Sequence, residues 1–67
     1  MILLNGESSE VRPGETVSAV LGRLGLSPQT RGIAVAVDGE VVPRGRWEMF
    51  ALAEDARVEV LTAMQGG

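Results

Sequence analysis

The side chains that usually carry chemistry near neutral pH are missing from this chain. Its 67 residues include no His, Cys, Lys or Tyr, which removes the common general bases and most covalent nucleophiles. The local acid clusters are Glu7/Glu10 and Glu54-Asp55. Carboxylates so close in sequence rarely converge on one substrate atom, and both clusters read as solvated surface or turn charge. A Walker-type phosphate loop needs a Lys, and no G-x-G-x-x-G is present. Any ATP used in this protein's chemistry must therefore be held by a partner. The group that remains is the terminal carboxylate of the run Met64-Gln65-Gly66-Gly67. A carboxylate is a poor electrophile until it is activated, and transfer of AMP from ATP makes it a reactive acyl adenylate. Two residues without Cβ can thread a narrow channel and take backbone angles closed to other residues. Paired terminal glycines arise by chance in roughly one chain in two hundred. The pair gains weight by following directly on a strand that completes the domain. Gly67 is accordingly the candidate reactive residue and Gly66 the residue that gives it access.

The rest of the chain must present that end. Sixty-seven residues make one small domain, here residues 1–63, with 64–67 as a flexible tail. With no Cys for disulfides or zinc, stability must come from packing a composition that is 45% hydrophobic. No signal peptide and no apolar run of membrane-spanning length is visible, so a cytoplasmic protein is expected. The net charge of −3 and six dispersed Arg residues argue against a nucleic-acid footprint.

Residues 1–5 read as a strand apolar on both faces, inside a covered sheet. Asn5-Gly6 turns it into a more polar outer strand running through Glu10-Val11-Arg12, which Pro13-Gly14 stops. Val17, Val20, Leu21 and Leu24 then lie on one helical face. Thr16 serves as the N-cap, Glu15 lies near the positive end of the helix, and Gly25 takes the left-handed C′ position before Pro28. Gly32–Val37 alternates large residues with Ala, Asp38-Gly39 makes a tight turn, and residues 40–43 form a short edge strand because Pro43 cannot donate to a ladder. Trp47, Phe50 and Leu52 are packing anchors in residues 44–56, where Glu54-Asp55 forms a polar turn. Residues 57–63 are the last strand. The order predicts an α+β domain with its helix across one sheet face.

Taken together, these features resemble the ThiS-type sulfur carriers of thiamin biosynthesis. They are Asn5-Gly6 after an apolar strand, Thr16 opening a helix that ends Leu24-Gly25-Leu26, and residues 33–37 before Asp38-Gly39. They continue with Val42-Pro43-Arg44 followed by Trp47, then Asp55 before residues 58–60, and the terminal Gly66-Gly67. The resemblance spans essentially the whole chain, and its more specific part is V-P-R-x-x-W with Gly-Gly. Asp38 stands where that family usually has Asn, and Glu54 where it usually has Gly. The resemblance implies a ubiquitin-like β-grasp, with a mixed sheet of four to five strands and one main helix packed across one face. It also implies a carrier that is not itself an enzyme and is a monomer when free. A ThiF-like enzyme, holding ATP and Mg²⁺, would adenylate Gly67, and a cysteine-desulfurase route would convert it to a thiocarboxylate. A ThiG-like thiazole synthase would then take the sulfur. The chain itself binds no cofactor or metal in this scheme.

Partner recognition is expected on the sheet face opposite the helix, where Leu61, Leu3, Ala34 and Ala36 share a side, together with Met64 and Gln65 of the tail. Trp47 and Phe50 border that face in this reading, with Trp47 either core packing or a partner contact. Arg44 is either a structural charge or a pair for an acidic partner patch. Carriers for molybdopterin synthesis or tRNA thiolation share the logic, as does a ubiquitin-like modifier that forms isopeptide bonds.

Overall fold

A computed structural model describes residues 1–26 and 31–62. Two hairpins frame it. In the first, β1 (Ile2–Leu4) pairs antiparallel with β2 (Glu7–Ser9). The turn between them has positive φ at both Asn5 (51°) and Gly6 (85°), as a two-residue turn matched to the strand twist requires. In the second, β3 (Ile33–Val37) pairs antiparallel with β4 (Glu40–Val41) through Asp38-Gly39, with the same two signs of φ. The closing strand β5 (Arg57–Thr62) inserts between the hairpins, giving the order β2-β1-β5-β3-β4. It runs parallel to β1 and antiparallel to β3.

Alternation along these strands makes the core. Ile33, Val35 and Val37 of β3, with Val58 and Val60 of β5, are buried together with Ile2. The helix α1 (Val17–Arg23) contributes Val17, Val20 and Leu21 to the same cluster. Both helix ends form as the residue types predict. Thr16 Oγ1 accepts from Ala19 N–H at 3.3 Å. At the other end Gly25 has φ +78°. Gly25 N–H donates to the Gly22 carbonyl at 3.1 Å and Leu26 N–H to that of Leu21 at 2.9 Å. This is the paired bonding of a Schellman end, with Leu26 folded back on the core. The predicted stop at Pro28 lies outside the described residues. Glu15 lies just before the helix, where its carboxylate accepts from Arg12 N–H at 2.8 Å and from Arg23 at 2.6 Å.

Two glycines of this helix separate intrinsic propensity from backbone geometry. A Cβ added at either Gly22 or Gly25 meets nothing within 4 Å. Gly22 is helical, and Gly22→Ala should stabilise the domain by about 1 kcal/mol. Gly25→Ala should destabilise it by roughly 1–2 kcal/mol because only the left-handed φ is at issue. Urea titration of the two variants beside the parent checks both signs.

Three expectations need correction. First, β2 ends at Ser9 rather than running through Arg12. The Arg12 backbone is taken up locally, its N–H by the Glu15 carboxylate and its carbonyl by Glu15 N–H, while Val11 packs on the core. Second, β1 is interior by hydrogen bonding but covered on one face only, so that Ile2 is buried and Leu3 is 38% exposed.

Third, Trp47 belongs to the core and not to the margin of the open face. It is 1% exposed, and its indole N–H donates to the Val42 carbonyl at 2.8 Å. The segment around it serves the helix. Pro43 leads into a 3₁₀ turn at Arg44–Arg46, after which the chain runs along the start of α1. Val17 N–H donates to the Phe50 carbonyl and Ser18 N–H to that of Trp47, each at 3.0 Å. With Thr16 capping Ala19, the first three helical N–H groups, which have no partner inside a helix, are all satisfied. Phe50 is half-buried against the core on this helix side, so it does not border the open face either. Glu54-Asp55 forms the expected turn, with Asp55 at φ 64°.

Candidate functional site

The sheet face away from α1 is built by the residues that alternate with the core. Directly paired residues point to the same side of a sheet. Leu61 lies opposite Ala34, Ala36 lies between Glu59 and Val41, and Leu3 lies between Arg57 and Ser8. Leu61 is 65% exposed and Val41 74%. With Ala34 and Ala36 presenting no bulk between them, these residues make a shallow apolar strip at the β5–β3–β4 side. Towards β1 the face becomes charged, at Arg57 and Glu59. An open cleft of about 570 Å³ lies there, lined by Leu3, Gly6, Asp38, Gly39, Arg57, Val58 and Glu59.

This arrangement brings together the expected Leu61, Leu3, Ala34 and Ala36. It leaves out Trp47 and Phe50, and it adds Val41, Arg57 and Glu59. Arg57 and Glu59 could have been found by stepping back two residues at a time from Leu61, and Val41 by counting across the Asp38-Gly39 hairpin. Arg44 is exposed, and its guanidinium carbon sits 4.7 Å from the centre of the Trp47 ring. In V-P-R-x-x-W, therefore, Val42 supplies the acceptor for the indole N–H and Arg44 stacks on the ring. The motif fixes the domain's interior.

The root of the tail is held at β5. Asp38 accepts the Arg57 N–H at 3.0 Å with its side chain while its own N–H donates to the Arg57 carbonyl at 2.8 Å. Asn5 holds the same strand farther along, its Oδ1 accepting from Val60 N–H at 2.8 Å and its Nδ2 donating to the Val60 carbonyl at 3.2 Å. Leu61 and Thr62 end the described strand. Met64, Gln65, Gly66 and Gly67, the expected tail, lie outside the described residues. Among the described residues no group of three or more His, Cys, Asp or Glu side chains could hold a metal ion. No helix among them is long and apolar enough to cross a membrane.

A mixed sheet with its last strand central and one helix across one face defines a ubiquitin-like β-grasp domain. The sequence places it more narrowly: residues 2–67 match the model of the ThiS family, and the chain belongs to that family. Among solved structures, it is similar to a thiamine biosynthesis protein (ThiS) from Geobacter metallireducens. Against its crystal structure the identity is 28% and the TM-score 0.78, covering 98% of this chain and 97% of that one. Against a solution structure of a thiamine biosynthesis protein from the same organism the values are 29% and 0.74, covering 98% and 86%. Among sequences, it is 36% identical over 66 residues to a thiazole synthase of Magnetococcus marinus and 30% identical over 66 residues to one of Paramagnetospirillum magneticum. In both cases 98% of this chain is matched, and it spans 20% of the relative's length.

Proposed function

We propose that this chain is a sulfur carrier of thiamin biosynthesis, a protein co-substrate rather than an enzyme, whose reacting group is the Gly67 carboxylate. The observation that carries the reading is the match to the ThiS family, which runs through both terminal glycines. The absence of His, Cys, Lys and Tyr supports it, because the side chains offer little else to react. In the proposed sequence a ThiF-like partner holds ATP and Mg²⁺. A carboxylate oxygen of Gly67 attacks the α-phosphorus of ATP, and pyrophosphate leaves. A persulfide supplied by a cysteine-desulfurase route then attacks the acyl carbon and AMP departs. A cellular thiol reduces the acyl disulfide so formed, releasing the thiocarboxylate and leaving the sulfur donor in a mixed disulfide. The resulting thiocarboxylate is a better nucleophile than the carboxylate it replaces, and it passes its sulfur to a ThiG-like thiazole synthase. The likeness to a segment within two thiazole synthases supports that partner. The carrier works as a monomer in the cytoplasm, where ATP is available.

The open face and the tail then act together, the face being read by the partner while Met64, Gln65 and Gly66 lead Gly67 into its site. Leu61→Arg tests the face. Leu61 is 65% exposed, so stability should change by no more than about 0.5 kcal/mol. Affinity for the adenylating enzyme, measured by fluorescence anisotropy, should fall at least about tenfold. For the pathway, a strain lacking the gene should require the thiazole precursor. Growth without it should return with the full chain and not with a chain lacking Gly67. A requirement for a molybdenum cofactor instead would overturn the thiamin assignment.

A further inference from the structure

Asn5 does two things that a turn residue need not do together. As a turn residue it adopts φ 51°, a conformation Asn tolerates better than most side chains. As a clamp it reaches 55 positions along the sequence to hold both polar backbone groups of Val60. The ladder explains why a clamp is needed. β1 pairs with β5 only at Leu3↔Arg57 and Leu4↔Val58, followed by one bond from Asn5 N–H to the Val58 carbonyl at 2.8 Å. The chain then turns away into β2, and among the described residues no strand backbone lies beside Val60 on that side. The Asn5 amide takes its place. It offers one acceptor and one donor, as a peptide group would. An Asp would offer no donor at neutral pH and would set a carboxylate against the Val60 carbonyl. On its other side β5 is held by β3 as far as Ile33↔Thr62. Among the described residues, Asn5 is thus the last hold on β5 from the β1 side.

We propose that Asn5 is a positioning residue for the reactive end: by fixing β5 at Val60 it sets the place from which Gly67 is delivered to the activating enzyme. This rests on the sulfur-carrier reading. Val60 precedes Gly67 by seven residues, which can reach about 23 Å when drawn out in a partner's channel. Slack at the root is carried over that reach, and activation requires reacting atoms within about 3–3.5 Å. On the proposed reading partner recognition depends on the open face, whose cleft lining does not include Asn5, so the effect falls on turnover and not on binding.

The test uses Asn5→Gly, which keeps the left-handed turn and removes both side-chain bonds, and Asn5→Asp, which keeps the acceptor alone. Amide exchange by NMR is read at Val60 and, as a core reference, at Val35. Pyrophosphate release with the adenylating enzyme of the same genome gives kcat and KM for the carrier, at a temperature where each variant is folded. For Asn5→Gly, Val60 exchange should rise at least about tenfold with Val35 within about twofold. The value of kcat should fall about tenfold with KM within about twofold, and Asn5→Asp should lie between. Unchanged kcat with Val60 released would overturn the proposal. So would a loss of kcat that follows a uniform rise in exchange, which marks a purely structural role, or a loss with Val60 still protected. Failure of the parent chain to release pyrophosphate would instead overturn the carrier reading, and the proposal with it.

Discussion

Removal of Gly67 alone is expected to reduce activation by at least about a thousandfold and to leave folding unchanged. The shortened chain still ends in a carboxylate, so the expected loss is one of position. One residue advances an extended chain by about 3.3 Å, comparable with the whole distance at which a carboxylate oxygen must sit to attack phosphorus. Thermal unfolding should be unaltered because the core is made by residues between Ile2 and Val60. Pyrophosphate release by the adenylating enzyme checks the first half and circular dichroism melting the second. Equal activation of both chains would mean that the enzyme reacts elsewhere.

The second large effect concerns stability. Trp47→Ala is expected to leave much of the protein unfolded at 25 °C. Truncating a buried Trp costs about 3–5 kcal/mol. Native domains have roughly 0.05–0.15 kcal/mol of stability per residue, which for 67 residues is about 3–10 kcal/mol in all. The indole is 1% exposed and holds the Val42 carbonyl, so the substitution also strands a buried acceptor. Two gentler variants separate the contributions. Trp47→Phe keeps most of the volume and should cost about 1–3 kcal/mol, chiefly through the lost hydrogen bond. Arg44→Ala, which removes the cation above the ring, should cost about 0.5–1 kcal/mol because the guanidinium is exposed. Urea unfolding followed by far-ultraviolet circular dichroism measures all three without relying on the single Trp for signal. Under conditions where Trp47→Phe is folded it should bind partners normally, as a core residue rather than a contact.

The parts of this fold that could be read in the sequence are those set by side chains acting near home. Asn5-Gly6 and Asp38-Gly39 turn because their φ values suit those residues. Thr16 and Gly25 bound the helix through bonds within three to five positions. Alternation placed Leu61, Leu3, Ala34 and Ala36 on one face. The misreadings come from backbone groups, which no side-chain pattern announces. Glu10-Val11-Arg12 has the look of a strand, yet Glu15 occupies both polar groups of Arg12. Residues 44–56 show no period because their carbonyls at Trp47 and Phe50 complete the start of α1. Trp47 by residue type suits core packing or a partner contact, and its burial together with the bond to the Val42 carbonyl assigns it to the core. The second task of Asn5 was hidden for a similar reason, since its partner lies 55 residues away. The reactive end was the easiest part of the site to propose, because so few chemically active side chains compete with it.

The central claim is that Gly67 itself is activated and sulfurised, and intact-protein mass spectrometry tests it most directly. The chain is incubated with its adenylating enzyme, ATP, Mg²⁺ and a sulfide source, beside a carrier known to be activated under the same conditions. The account predicts a mass gain equal to one oxygen exchanged for one sulfur, localised by fragmentation to Gly67 and absent when ATP is omitted. An unchanged mass while the control carrier is converted, or sulfur found at any other residue, would contradict it.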